Sequence, residues 1–178
     1  MIKKITYLML FFPLHSFAQS LPANPEAILT IPINLTIAVP TCSVVVPDSV
    51  EFGTVLLTSI NDGSIASKDV DINMNCPSGL PTKYDLSLDS AQTVATTDKH
   101  NGIIGSFNND SIGYQVTWVS GSGPGVSPDA NVILGYKYID TNVTASEVYK
   151  VRLKPVKVSP TIKSGIASAS LRVAVKVY

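Results

Sequence analysis

The last ten residues of the chain, ASLRVAVKVY at positions 169–178, alternate apolar and polar side chains. Successive side chains of a β-strand point to opposite faces, so Arg172 and Lys176 share one face. The other face is entirely apolar and carries Leu171, Val173, Val175 and Val177. The pattern fits the last strand of a complete sandwich, and it fits equally a strand that still lacks a neighbour.

A second alternating segment lies near the N-terminus and favours the latter interpretation. Its odd positions are apolar without a break: Leu29, Ile31, Ile33, Leu35, Ile37 and Val39. From Cys42 onward the apolar residues move to even positions, and one rigid strand cannot bury both halves on one face. Pro32 and Pro40 cannot donate ladder hydrogen bonds, which places the segment at an edge. Left exposed, so apolar an edge would promote aggregation, and it therefore needs a partner groove.

Residues 1–18 have the organisation of a secretory signal peptide. Two lysines precede an apolar run over 5–14, and Ser-Phe-Ala at 16–18 is a small-x-small cleavage site. We expect the mature chain to begin at Gln19, with cleavage after Ser20 as the alternative. The apolar run is about ten residues long, whereas a membrane span needs about twenty, and no later stretch qualifies.

The remaining chain is predicted to form an extension over residues 19–40 and one domain over residues 41–178. Cys42 and Cys76 are the only cysteines. An even pair in an exported protein is read as a disulfide, with two free buried thiols as the alternative. Zinc is disfavoured because the mature chain has one histidine, His100, and no CxxC motif.

Composition argues against several function classes. The signal peptide removes two lysines from 13 basic residues and nothing from 13 acidic ones, which leaves a slightly acidic chain without a basic run. Nucleic acid and anionic membrane surfaces are therefore not expected partners. His100 lies in a polar stretch, and no Ser/His or Cys/His constellation is available. We expect no catalytic site, no metal, no cofactor and no enzymatic activity.

The domain is predicted to be all-β, because period-2 runs recur between turn residues and no long window has a helical period. Pro155 indicates an edge or a bulge within its strand. A turn is predicted at 61–64, and short strands at this spacing favour an antiparallel sandwich. The predicted strands before the last one span 50–57, 70–76, 84–88, 112–119, 132–139 and 148–158.

Taken in order, five features resemble the structural subunits of chaperone–usher fimbriae (pili) of Gram-negative bacteria. They are the signal peptide, the apolar extension before Cys42, the Phe52-Gly53-Thr54 step, an alternating strand ending at Cys76, and an alternating last strand ending in Tyr178. The resemblance covers essentially all of the mature chain.

This resemblance implies an incomplete immunoglobulin-like β-sandwich with an N-terminal donor-strand extension, exported through the periplasm to a fimbrium on the cell surface. A periplasmic chaperone would first fill the groove left by the missing strand. At the outer-membrane usher, the extension of a neighbouring subunit would replace it. The implied acceptor residues are Leu171, Val173, Val175 and Val177, and the chaperone would hold the carboxylate of Tyr178. The implied donor residues are Ala27, Leu29, Ile31, Ile33 and Leu35.

Two points stay open at the level of sequence. The extension lacks the glycine usual for the family, so Ala27 takes its place and the register moves toward the N-terminus, which makes Leu35 the uncertain donor. The alternative function is a tip subunit or one-domain adhesin that binds a host glycan or protein near Trp118, where Tyr114 shares the face of the strand. In a sandwich, however, such a tryptophan is more commonly part of the core.

Overall fold

A computed structural model describes residues 42–77, 80–119, 127 and 129–178. The predicted signal peptide and the predicted extension lie outside these described residues, and so do residues 120–126. The described chain forms eight strands and one short helix: β1 (Ser43–Val45), α1 (Leu57–Asn61), β2 (Lys68–Asn75), β3 (Tyr84–Ser90), β4 (Ile103–Gly105), β5 (Ile112–Trp118), β6 (Tyr138–Asp140), β7 (Ser146–Lys157) and β8 (Leu171–Val177).

The strands form two antiparallel sheets. One sheet has five strands in the order β1-β2-β7-β5-β4, and the other has three in the order β6-β3-β8. The long strands alternate buried and exposed residues because each sheet turns one face inward. In β3, for example, Tyr84, Leu86 and Leu88 are fully buried, whereas the residues between them are partly exposed. The predicted all-β sandwich is confirmed.

The core lies between the inner faces of the two sheets. Trp118, Tyr84 and Ile72 are among its largest fully buried side chains. The apolar residues of β8 pack against this core without being fully buried. No helix in the described part of the chain is long and apolar enough to cross a membrane.

The predicted strand over 50–57 is wrong. Residues 50–56 form no strand, and α1 begins at Leu57. Gly53 has φ 68°, a left-handed conformation that interrupts an extended strand and that glycine adopts without steric cost. The turn predicted at 61–64 is confirmed, with Ser64 N–H donating to Asp62 Oδ1 at 2.9 Å.

The predicted strand over 132–139 is only partly correct. Val132 and Leu134 are buried and Ile133 is exposed, as the alternation predicts, yet the regular strand is confined to β6. The backbone N–H of Val132 donates to Val116, that of Leu134 to Lys99 and that of Gly135 to Leu88. The segment therefore bonds to several elements in turn, and Gly135 (φ 79°) bends it before β6 begins.

Pro155 lies where its strand has a single neighbour. β2 pairs with β7 only as far as Leu153, whereas β5 continues to pair up to Lys157. A residue without an N–H is tolerated there because one side of β7 carries no ladder. Of the predicted edge or bulge, the structure shows an edge at this end of β7 only, since β7 is otherwise the central strand of its sheet.

Cys42 and Cys76 form the predicted disulfide, which connects the start of the domain to the end of β2. Cys76 is buried in the core, and its sulfur lies 3.0 Å from the hydroxyl of Tyr84. The bond closes a loop across a sequence separation of 34 residues.

We expect the double variant Cys42→Ala/Cys76→Ala to lose about 3–4 kcal/mol of free energy of unfolding, because a loop of this length no longer restricts the unfolded chain. Urea denaturation of the variant and of the oxidised wild type measures the difference. Wild-type protein unfolded in a reducing agent is the control and should resemble the variant. Equal midpoints for the oxidised wild type and the variant would contradict the prediction.

Candidate functional site

The edge of β8 is the most distinctive surface of the described chain. β8 pairs with β3 along its whole length, from Ser90–Leu171 to Tyr84–Val177, and none of the other described strands pairs with its opposite edge. Its inward side chains are half-buried and its outward ones exposed. The alternation predicted from the sequence is therefore confirmed for Leu171, Val173, Val175 and Val177, while their role as an acceptor surface stays a prediction.

A cleft of about 830 Å³ opens beside the first half of β8, where Leu171 and Val173 contribute to its lining. Two irregular segments, residues 46–55 and residues 163–170, form its walls. Val175 and Val177 lie beyond this cleft. Its floor consists of buried core side chains from several strands: Val70, Ile72, Ile104, Ile112 and Val151. The cleft thus gives access to the apolar interior between the sheets.

The Phe-Gly-Thr step forms part of the first wall. Phe52 is half-buried, with its ring centroid 5.8 Å from that of Tyr114. The Lys68 ammonium lies 5.7 Å from the Phe52 centroid and donates a hydrogen bond to the carbonyl of Glu51. Gly53 supplies the positive φ that follows. The motif therefore fixes the course of this wall over β5.

Tyr114 connects β5 to the second wall, residues 163–170. Its hydroxyl donates to the carbonyl of Ala167 at 2.6 Å. Burial raises the pKa of the Tyr114 phenol, and the nearby Glu51 carboxylate raises it further. The hydroxyl consequently stays protonated and remains a donor at any physiological pH. The sequence suggested Tyr114 as a residue that stacks on a sugar together with Trp118. In the structure Tyr114 instead contacts both walls of the cleft, through Phe52 and through Ala167.

Sequence reasoning missed the polar residues at one end of the cleft. Ser106, Asn109 and Ser111 are buried, and they hydrogen-bond to the wall over 163–168. The cluster of Asn, Asp and Ser at 108–111 indicated only a loop. A local polar cluster is the usual signature of a turn, and its partners lie more than 50 residues away in sequence.

Tyr178 is tied to its own domain. Its main-chain oxygen accepts hydrogen bonds from the N–H and the hydroxyl of Thr82, at 2.7 and 3.0 Å. Its phenol donates to Asp85 Oδ2 at 2.7 Å, and the ammonium groups of Lys83 and Lys176 lie 4.0 and 4.6 Å from its ring centroid. These contacts hold β8 in register on β3. The predicted grip of a chaperone on the Tyr178 carboxylate stays a prediction.

Trp118 cannot serve as a sugar-stacking platform. It is fully buried, and Tyr138 meets it edge-on with ring centroids 5.1 Å apart. The part of the alternative hypothesis that relied on this ring is therefore wrong. His100 is exposed to solvent, and the described residues contain no cluster of three or more potential metal ligands.

The predicted donor residues lie outside the described part of the chain, so the structure places none of them. They remain Ala27, Leu29, Ile31, Ile33 and Leu35. The predicted boundaries at 1–18, 19–40 and 41–178 likewise stay predictions.

The chain belongs to the family of fimbrial proteins, whose sequence model matches residues 31–177. Its members are structural subunits that are exported to fimbriae on the cell surface, and this chain shares that location. The match begins before Cys42, so it takes in part of the predicted extension as well as the domain.

The solved structure of a pilus subunit supports the fold. The P pilus rod subunit PapA matches with a TM-score of 0.55 and 16% sequence identity, covering 77% of this chain and 99% of that one. The CupB6 tip adhesin from Pseudomonas aeruginosa matches with a TM-score of 0.48 and 13% identity, covering 63% of this chain and 31% of that one. A search of curated protein sequences finds no significant match.

The chain has a single tryptophan, so its fluorescence reports on Trp118 alone. We expect native protein to emit at the short wavelengths of a buried indole and to resist quenching by iodide, since water and ions do not reach the ring. Unfolding in guanidinium should shift the emission and restore quenching. Efficient quenching of the native state, or protection by added glycans, would contradict the buried position.

Proposed function

We propose that this chain is a structural subunit of an adhesive fimbria that polymerises by donor-strand exchange. The observation that carries the proposal is the edge of β8, which pairs with β3 alone among the described strands and borders an apolar cleft. An extended peptide can add to such an edge through main-chain hydrogen bonds, while alternate side chains enter the cleft. A chaperone strand would occupy this edge first, and the extension of another subunit would take its place.

The donor in this scheme is the segment before Cys42. Its side chains at Ala27, Leu29, Ile31, Ile33 and Leu35 have the period of a strand whose inward face is wholly apolar. Burying four or five such side chains stabilises a joint by about 6–15 kcal/mol in gross terms. Ladder hydrogen bonds add to this, and a non-covalent joint of that strength would hold a fibre together.

The expected partners follow from this scheme. They are a periplasmic chaperone that covers the edge of β8 during export, an outer-membrane usher where exchange takes place, and neighbouring subunits in the fimbria. The role is structural and requires no catalytic group. A structural subunit is favoured over an adhesin acting through Trp118 because that ring lies in the core.

Adjacent residues of β8 provide a matched test of the acceptor surface. Val173 is half-buried and lines the cleft, whereas Ala174 is exposed on the outer face of the same strand. We expect Val173→Asp to abolish incorporation into fimbriae, because a carboxylate would be buried without a partner. Ala174→Asp should assemble normally. Fimbriae counted by electron microscopy, with subunit levels measured in the periplasm, give the comparison. Equal assembly of both variants would contradict the proposal.

The donor face can be tested in the same way. We expect Ile31→Asp to prevent the subunit from joining a fibre through its own extension, whereas Thr30→Asp, on the opposite face, should be tolerated. A subunit lacking residues 19–35 should fold with its chaperone but fail to insert into the next subunit. Mixing purified chaperone–subunit complexes and following the ladder of polymers on gels measures both effects. Polymerisation through the truncated end would sink the proposal.

A further inference from the structure

The buried polar residues of the described chain all lie in one place. Ser106, Asn109 and Ser111 are the only polar or charged residues classed as buried among the described positions, with exposures of 1%, 7% and 0%. Burial of a polar group is unfavourable unless its hydrogen bonds are replaced. All three lie in the short loop between β4 and β5, so each needs hydrogen-bond partners within the fold.

Two of these residues hold the main chain of Lys163 at one end of the cleft wall. The N–H of Lys163 donates to Ser111 Oγ at 2.9 Å, and its carbonyl accepts from Asn109 Nδ2 at 3.1 Å. The two side chains are joined in turn, since Ser111 Oγ donates to Asn109 Oδ1 at 2.6 Å. Both backbone groups of Lys163 are thus bound by a connected pair of buried side chains.

The third residue holds the wall again at Ser168. The N–H of Ser168 lies 3.1 Å from Ser106 Oγ and 2.7 Å from Asn108 Oδ1, and both oxygens accept from it. The carbonyl of Ser168 accepts from the N–H of Phe107 at 3.0 Å. Ser106 Oγ also accepts from the N–H of Asn109, which joins this anchor to the first.

Between the two anchors, the described residues make one further hydrogen bond to the wall, from the Tyr114 hydroxyl to the Ala167 carbonyl. Residues 158–170 form no strand or helix, so no ladder defines their position. Ser164, Gly165 and Ile166 are exposed, Ile166 to 77%, and make no hydrogen bonds within the described chain. Beside this wall lies the apolar floor of the cleft, and contact with that floor would remove apolar surface from water. An unanchored wall would therefore tend to close the cleft.

We propose that Ser106, Asn109 and Ser111 form a polar latch that holds the wall over 163–168 in place and keeps the cleft open for an incoming strand. Movement of the wall would leave buried donors and acceptors without partners, which opposes closure. These are positioning residues, because they act on the strand through the wall. The inference rests on the proposed strand-acceptor function, and it assigns a role within that function to a loop away from β8.

The test uses the mature chain purified with the chaperone that carries it. Asn109→Asp is isosteric, keeps an acceptor for Ser111, and replaces the donor to the Lys163 carbonyl with a repelling oxygen. Ser111→Ala is a milder second variant, which removes one hydroxyl. Tyr149→Phe is the control, since it removes a hydrogen bond to Asp140 from a buried residue that does not line the cleft.

Two measurements are made on each protein. Hydrogen exchange of the Lys163 and Ser168 amides, whose N–H groups donate to the loop over 106–111, reports on the wall before any donor peptide is added. We expect these amides to exchange about tenfold faster in both latch variants than in the wild type or Tyr149→Phe. Uptake of a fluorescent peptide of residues 19–40 reports on strand acceptance. We expect it to be about tenfold slower or weaker in the latch variants, the effect of one hydrogen bond.

The outcomes separate the latch from the proposed function. Unchanged exchange of the Lys163 and Ser168 amides would overturn the latch, whatever happens to peptide uptake. Faster exchange with normal uptake would show that the wall is held but does not govern the acceptor, which also overturns the inference. If wild-type protein and Tyr149→Phe themselves fail to take up the peptide, the strand-acceptor function falls, and the latch loses its proposed purpose with it.

Discussion

The structure depends on β8, a strand that pairs with only one neighbour among the described strands. β8 hydrogen-bonds to β3 along seven residue pairs, and its other edge meets none of the described strands. A sheet in this state has unpaired N–H and C=O groups beside a half-buried apolar face, which is the arrangement that most favours pairing with another chain. Under the proposed function, the irregular walls of the cleft and the buried polar loop keep this edge accessible to an incoming strand.

The fold followed from the sequence wherever alternation and ladder bonding agree. β2, β3, β5, β7 and β8 lie where period-2 patterns predict them, because these strands have one face in the core and one in water. The prediction over 50–57 failed since Gly53 takes a left-handed conformation that apolar patterning does not reveal. It was only partly correct over 132–139, where burial alternates but backbone partners change from residue to residue.

The candidate site was predictable only where it shows the same alternation of apolar and polar residues, or where it contains the cysteine pair. The inward face of β8 was evident from its four apolar residues, and the disulfide from the pair of cysteines in an exported chain. The wall over 163–168 was not, since its position depends on contacts of Asn109 and Ser111 with Lys163, more than 50 residues away. Single side-chain hydrogen bonds at that separation leave no periodic trace in a sequence.

The disulfide has a mechanical consequence for a fibre under tension. Force that arrives along the chain from the N-terminal side reaches Cys42 before it reaches β1. The covalent bond to Cys76 passes it to the end of β2, which is paired with β7 over eight residues. Without that bond the force would first separate β1 from β2, because β1 has only three residues and all are exposed. The force would then act on the wall over 46–55. The crosslink therefore passes force from the N-terminal side directly to the paired strands β2 and β7, and it spares β1 and the wall over 46–55.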